Sequence, residues 1–285
     1  MVKYQSGSKY YCLNYLNGEL EDDNSSYTGH DGLIDSGVNA TGAIAVLNIG
    51  SFRTWSRNVT SHNTSNGSFT FEEVPSSGWK YKHHMYFLTQ KLELLDVPGE
   101  WFFDHESPSN TVYYMPRDGR DPNDLNIRMK TQPYAILCSD DDGVVVEGFD
   151  YFATTFRLDD CDGSEIRNST LLYPSTSKRS LGYAGEDMDN RHVSRVDDCI
   201  GCLVDRCDFL YTDGAAFEAH GGASSSQNNT INNSYFYHID WSGSDQKSLM
   251  TTIMMDGTTN RFTNNTMHKT GTSATIRIGN ACLLY

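Results

Sequence analysis

A β-solenoid is the fold that this sequence predicts, on three observations from its last half, Pro133 to Tyr285. The first is a repeat. "ILCSDDDGVVVEGFDYFA" (Ile136–Ala153) recurs as "FRLDDCDGSEIRNSTLLY" (Phe156–Tyr173) and again as "SRVDDCIGCLVDRCDFLY" (Ser194–Tyr211). The second is a pair of apolar columns. Val146, Ile166, Val204, Ile231 and Phe262 share one register, and Cys138, Leu158 and Val196 form another upstream. The third is turn chemistry at fixed slots: Gly143, Gly163 and Gly201 in one, Asn168, Asn233 and Asn264 in another. A unit of roughly 20 residues with short strands and a Gly turn cannot bury its own apolar face, so it must stack on its neighbours.

The rival is a sandwich of short antiparallel strands. Hairpins do not need one register to recur, nor Asn in a fixed slot. Stacked amides hydrogen-bond from coil to coil, which predicts a buried ladder of Asn168, Asn233 and Asn264.

These coils, the Asn column and "LELLDVPGEWFFD…NTVYYMP" (Leu92–Pro116) resemble the right-handed parallel β-helix, pectin-lyase-like superfamily. The likeness is nearest to secreted members of unassigned activity that carry this stretch upstream of their coils, and it covers most of residues 40–285. It implies a right-handed parallel β-helix. It does not choose a reaction, since such helices serve lyases, hydrolases, adhesins and structural proteins. Arg-x-Pro-x-x-Arg, as in pectate lyases, and the Asn-Thr-Asp of polygalacturonases are absent. "ATIRIGN" (Ala274–Asn280) is similar to an Arg-bearing strand of some alginate-lyase-like helices.

Taken from the start, the chain divides into an irregular N-terminal segment, 1–41, and a β-helix over 42–285. Residues before Gly29 are polar. "GAIAVLNIG" (Gly42–Gly50) reads as the first solenoid strand. An excursion at about 53–98 is expected to fold onto the helix, returning through "KLELLD" and "TVYYM", with Pro98-Gly99 as a tight turn. His83-His84 would point to opposite faces of a strand, which disfavours a shared metal.

A net charge of −15 argues against nucleic acid or an anionic membrane as partner, and mildly against an acidic polysaccharide. No run of 18 apolar residues spans a membrane. "MVKYQSGSKYYC" lacks the apolar core of a signal peptide. Sequons at Asn24, Asn39, Asn58, Asn63, Asn66, Asn168, Asn228, Asn232 and Asn264 nevertheless point to an extracellular glycoprotein. The cluster Asn58, Asn63 and Asn66 is the best candidate for attachment, whereas Asn168 and Asn264 are expected to be buried.

Seven cysteines without a CxxC…CxxC pair argue against structural zinc. Cys161 and Cys199 share a column, in which a disulfide and two buried thiols are both compatible with the spacing. "SDDDG", "DDCDG" and "DDC" (Ser139–Gly143, Asp159–Gly163, Asp197–Cys199) stack carboxylates, either around a candidate Ca²⁺ or as solvated turns. "DGRDPND" (Asp118–Asp124) lacks EF-hand spacing. No cofactor is certain from the sequence.

The coils are uneven at one corner, occupied in turn by Ala153, Tyr173, Tyr211, His238 and Lys269. The chain crosses it briefly from Ala153 to Leu158. It takes long insertions from Tyr173 to Val196 and from His238 to Met254. Repeat proteins gather insertions on the face that binds. Two residues on lie Ser175, Asp213, Asp240 and Gly271; the first loop brings Lys178 and Arg179; the column after the next inward residue brings Glu218 and Arg277, with His220 close behind.

The expected site therefore has Asp213 and Asp240 as an acid/base pair or cation holder and His238 or Lys269 as proton carrier. Tyr173, Lys178, Arg179, Tyr211, Glu218 and Arg277 would bind substrate. A hydrolase needs two carboxylates about 5–5.5 Å apart for retention or about 6.5–9.5 Å for inversion. A lyase needs a base and a group neutralising a uronate. A binding protein needs only aromatic platforms and hydrogen bonds. The expected function is binding, with or without cleavage, of an extracellular polysaccharide. The alternative is a structural subunit of a filament or cell-surface layer. The apolar Cys282-Leu283-Leu284-Tyr285 would then meet further coils or another subunit stacked end to end.

In protein secreted from eukaryotic cells, peptide mass spectrometry before and after deglycosylation is expected to find glycan on Asn58, Asn63 and Asn66.

Overall fold

The computed structural model describes residues 11–16, 19–22, 32–50, 53–71, 80–104, 108–175, 192–212, 214–239, 251–270, 274–279 and 283–284. The described residues separate into two compact units that divide at Arg128/Met129.

The first unit is not solenoid. Six strands, Tyr11–Leu16 (β1), Glu19–Asp22 (β2), Ile44–Gly50 (β3), Arg53–Asn63 (β4), Ser68–Phe71 (β5) and Lys80–Thr89 (β6), close into an antiparallel barrel in the order β1-β2-β5-β4-β3-β6. The strand expected to open the helix, Ile44–Gly50, pairs antiparallel with β4 and β6 instead. The excursion expected at 53–98 supplies most of the barrel wall, and the segment 1–41 supplies two of its strands. The reason is physical: alternating apolar residues suit a coil and a barrel wall equally. Strand length separates the two, since β4 and β6 have 11 and 10 residues while most solenoid strands have 3 to 5. Ala40, Ala43, Ala45, Leu47, Val59, Phe69 and Leu88 are sealed in this unit's core. Asn58, Asn63 and Asn66 are exposed, on β4 and the turn into β5. A short hairpin, Trp101–Asp104 (β7) with Thr111–Tyr114 (β8), follows.

The second unit is the predicted parallel β-helix. Coil 1 holds Tyr134–Ser139 (β9), Val145–Glu147 (β10) and Asp150–Phe152 (β11); coil 2 holds Thr155–Asp159 (β12), Glu165–Arg167 (β13) and Thr170–Leu172 (β14). Coil 3 holds Ser194–Asp197 (β15), Leu203–Asp205 (β16) and Asp208–Leu210 (β17). Coil 4 holds Phe217–His220 (β18), Thr230–Asn232 (β19) and Tyr235–Ile239 (β20). Coil 5 holds Thr251–Met255 (β21), Arg261–Thr263 (β22) and Thr266–Thr270 (β23), and Ala274–Ile278 (β24) and Leu283–Leu284 (β25) continue the stack. Every pairing between coils is parallel, giving a first sheet β24-β21-β18-β15-β12-β9, a second β10-β13-β16-β19-β22-β25 and a third β11-β14-β17-β20-β23. The column Val146, Ile166, Val204, Ile231, Phe262 is in register as expected. Cys138, Leu158 and Val196 are likewise aligned. Phe156, Phe209, Phe217 and Phe236 fill the interior, with Phe209 and Phe236 stacked 4.8 Å apart.

Three flat sheets need sharp bends, and single left-handed residues make them. Asp140, Asp160 and Asp198 (φ 60, 51 and 49°) leave the first sheet. Gly148, Asn168, Arg206, Asn233 and Asn264 (φ 75, 47, 51, 51 and 54°) join the second to the third. This corrects the Asn ladder. Asn168, Asn233 and Asn264 share a column, but they are exposed bend residues, because Asn tolerates positive φ. The buried ladders use other residues, which point inward. Ser164 Oγ accepts Val144 N at 3.0 Å, Asn229 Oδ1 accepts Cys202 N at 2.9 Å and Asn260 Oδ1 accepts Asn229 N at 2.8 Å. Ser169, Ser234 and Asn265 repeat the device one residue past the bend. Each closes a backbone N–H that the pleat leaves unpaired. The sequons at Asn168 and Asn264 are therefore open to solvent too.

The carboxylate turns also serve the backbone: Asp142 Oδ1 accepts Asp162 N at 2.8 Å and Asp162 Oδ1 accepts Ile200 N at 2.7 Å. Among the described residues no group of three or more His, Cys, Asp or Glu is placed to hold a metal ion. Nor is any helix there long and apolar enough to cross a membrane. Cys138, Cys161, Cys199, Cys202 and Cys207 are buried free thiols.

Two substitutions test this core. Ile166→Asp, which buries an unpaired charge, is expected to cost about 3–5 kcal/mol in urea denaturation. Tyr151 is 4% exposed, its hydroxyl has no hydrogen-bond partner among the described residues, and burial pushes its phenol up to about 12. Tyr151→Phe should therefore stabilise by about 1 kcal/mol. The folded wild type holds the phenolic proton where the unfolded chain releases it. Wild-type stability should thus fall as pH rises from 10 towards 12, and the variant should lack that component in alkaline denaturation.

Candidate functional site

The bend between the third sheet and the first is chemically unlike the other two. Its left-handed residues are Ala153, Tyr173, Tyr211, His238 and Lys269, with φ of 55, 57, 58, 57 and 56°. A non-glycine residue there costs about 1–2 kcal/mol, and four of these five slots carry large side chains where Gly or Asn would cost less. The stacking of coils turns them into a strip. Phe152 meets Tyr173 edge-on at 5.9 Å, Tyr173 meets Tyr211 at 5.9 Å, and Tyr211 meets His238 at 5.4 Å. Tyr237 continues the strip, 5.2 Å from Tyr211 and 5.4 Å from His268. Lys269 Nζ donates to Tyr237 Oη at 3.2 Å and lies 5.4 Å from its ring centre. Phe152, Tyr173 and Tyr211 stay 40%, 48% and 38% exposed, so this is an exposed aromatic surface.

The same bend leads into the first sheet, whose outward face carries a second cluster. One column runs Arg157, Arg195, Glu218, Met254, Arg277; the next runs Asp159, Asp197, His220, followed by Asp256. Outward positions of a sheet usually meet water, yet Glu218 is 1%, Met254 3%, Asp197 4% and Arg195 7% exposed. Buried charges must be paired, and these are. Asp197 accepts from Arg195 Nε at 3.3 Å and forms an ion pair with Arg157 Nε at 2.9 Å, and Arg157 Nη2 also meets Asp159 at 2.9 Å. Glu218 Oε2 lies 2.8 Å from His220 Nε2, while His220 Nδ1 and Arg277 Nη2 approach Asp256 at 3.9 and 3.8 Å. Burial raises Asp197 above the ordinary carboxylate range, against the pull of Arg195 and Arg157. Burial likewise raises the phenol of Tyr134, which those two arginines also influence.

Chemically, Glu218 Oε2 fixes the His220 ring through Nε2 while Nδ1 faces Asp256, so the imidazole is held between two carboxylates in a defined orientation. β18, which bears Glu218 and His220, lies between β15 and β21, the two strands entered from the long insertions.

Of the sequence-predicted residues, the structure gathers Tyr173, Tyr211, His238 and Lys269 on the bend and Glu218 and Arg277 in one column of the adjoining sheet. Asp213, Asp240, Lys178 and Arg179 lie outside the described residues. Sequence reasoning missed Arg157, Arg195, Asp256 and Lys130, and it read Asp197 as part of a carboxylate turn or Ca²⁺ site where the structure pairs it with two arginines. Arg157 and Arg195 lie beside Leu158 and Val196 and Asp256 follows Met255, so the known register would have found them. Lys130 gave no signal; its ammonium is pushed down to about 8 by burial, and Nζ donates to Pro174 O, beside Tyr173, at 3.0 Å.

No family model and no curated protein matches this chain. One solved structure, titled "Glycoside hydrolase", aligns with 98% of this chain and 74% of its own at 12% identity, with a TM-score of 0.35. At that level the likeness supports no inference about activity.

The paired, buried Asp197 gives a direct test. Its carboxyl carbon should titrate above 3.8 by NMR. Because the folded chain then takes up a proton before the unfolded chain does, stability should rise as pH falls from the folded chain's raised pKa towards 3.8 and level off below it. Asp197→Asn should remove this component.

Proposed function

We propose that this chain is an extracellular protein of the pectin-lyase-like kind that binds a polysaccharide along the bend between its third and first sheets. The observation that carries the reading is the strip of Tyr173, Tyr211, His238 and Lys269, large side chains held in left-handed backbone that Asn or Gly would occupy at less cost. Backbone strain retained under exposed aromatic groups points to what those groups present. Tyr rings offer a flat apolar face to the C–H surface of a sugar and a hydroxyl to its rim. The net charge of −15 favours an uncharged polymer over a polyanion.

Cleavage is the second reading, favoured by the 2.8 Å contact of buried Glu218 with His220. In that case His220 is the base, Glu218 orients it, and Arg277 and the bend hold the polymer. Asp213 and Asp240 remain proposed partners of this chemistry.

The test separates stability from binding. Tyr173→Asn and Tyr211→Asn relieve the backbone, so each is expected within about 1 kcal/mol of wild type or above it. Each should weaken retention on a panel of insoluble polysaccharides by about tenfold. Wild-type binding that both variants preserve would remove the strip from the site. Reducing-end or unsaturated-sugar release by wild type, lost in His220→Asn with binding intact, would establish cleavage. Absence of both binding and release would leave the structural-subunit role.

A further inference from the structure

At the start of the helix four buried thiols meet around one residue. Cys161 Sγ lies 3.0 Å from Cys138 Sγ, Cys161 N donates to Cys199 Sγ at 3.2 Å, and Cys202 Sγ donates to Cys161 O at 3.0 Å. Cys161 and Cys199 are fully buried and Cys202 nearly so; Cys138, at 8%, is the most exposed residue of the four. Cys207 stands apart, directed at Ile166 O. A tetrathiolate metal centre does not fit, since no metal-holding group exists among the described residues.

We propose that Cys138 and Cys161, not Cys161 and Cys199, form a disulfide that ties coil 1 to coil 2. Two observations converge on this pair. Their sulfurs already touch, 3.0 Å apart. In the register of β9 and β12 Cys138 stands opposite Leu158, three residues before Cys161, so it is the side chains meeting across the bend at Asp160, and not the strand pairing, that bring the two together. And coil 1 needs a tie. β9, β10 and β11 are each the terminal strand of their sheet, so within the stack this coil has one neighbour where an inner coil has two, and a repeat stack frays from its ends.

With a small disulfide such as oxidised glutathione as the oxidant, the step balances. The Cys138 thiolate attacks one glutathione sulfur, forming a mixed disulfide and expelling the first glutathione thiolate. The Cys161 thiolate then attacks Cys138 Sγ and expels the second. Two S–H bonds are lost, one S–S bond forms, and the oxidant leaves as two thiols carrying the two protons. Burial and the neighbouring Cys161 push the Cys138 thiol up to about 11, so in the folded chain exchange is slow in both directions.

The experiment is equilibration of the full chain in glutathione buffers of graded ratio. It is followed by acid quench, alkylation under denaturing conditions and mass spectrometry of unreduced peptides. A linked Cys138–Cys161 peptide should appear, with Cys199 and Cys202 alkylated. In the oxidised form, amide exchange at Asp140 and Gly143, which donate to Asp159 O and Asp162 O of coil 2, should slow at least about tenfold. Cys161→Ser should abolish both effects. A Cys161–Cys199 or Cys199–Cys202 link, or all thiols alkylated at every ratio, overturns the pairing. Unchanged exchange in the linked protein overturns its role as a tie. Both peptide readings come from the wild-type chain and do not depend on how well the variant folds.

Discussion

Everything in the helical unit depends on one constraint: the backbone of each coil is satisfied by the coil beside it. The sheets supply most of those hydrogen bonds, but at every bend the pleat breaks and an N–H would be left without a partner. The chain answers in two ways. The left-handed bend residue turns its N–H to the next coil, as Asp160 N does to Asp197 O and Asn168 N to Asp205 O, each at 3.1 Å. Past the bend, an inward Ser or Asn accepts the N–H of the coil below. Because both devices act between identical positions, a register error in one coil would strand polar groups in its neighbours as well. That cost, more than the apolar columns, explains why the register is so uniform across coils of unequal length.

The bends also explain where chemistry can sit. The left-handed residues named above for two of them are Asp, Gly and Asn, apart from Arg206, and these suit the backbone and little else. The third is built from Tyr, His and Lys, and it is where the chain accepts insertions. Beside it, ionisable side chains on the outward face of the first sheet are held out of water. Asp197 is served by two arginines and Glu218 by His220, so the low dielectric strengthens these contacts at the same time as it makes any loss of a partner expensive.

How far this was legible in the sequence depended on which physical property carried the signal. Val146 to Phe262 could be read because a column of apolar residues has no other use in a repeat. The bend column Ala153 to Lys269 was legible from the coincidence of two insertions, although nothing in Tyr173 or Tyr211 announced a left-handed backbone. The Asn ladder was misplaced because Asn in a repeat suits two jobs, an exposed bend and an inward acceptor, and composition does not say which position turns inward. The barrel was misread because Gly42 to Gly50 satisfies both a coil and an antiparallel wall, and pairing direction is a property of distant partners. The charged face was overlooked in part because Arg157 and Arg195 occupy outward strand positions, where solvated residues are ordinary. Their burial is a tertiary fact.

The two units also differ in how they bear damage. In the barrel the first strand closes against the last, Tyr11 beside Tyr86, so the wall is a ring and removing any one strand exposes two raw edges at once. The helix has no such closure. Each coil answers only to the coils on either side of it, and an injury within one shortens the cooperative stack without necessarily dissolving it. A chain joining a ring to a ladder therefore contains one part that stands or falls whole and another that can be lengthened, trimmed or mended a rung at a time.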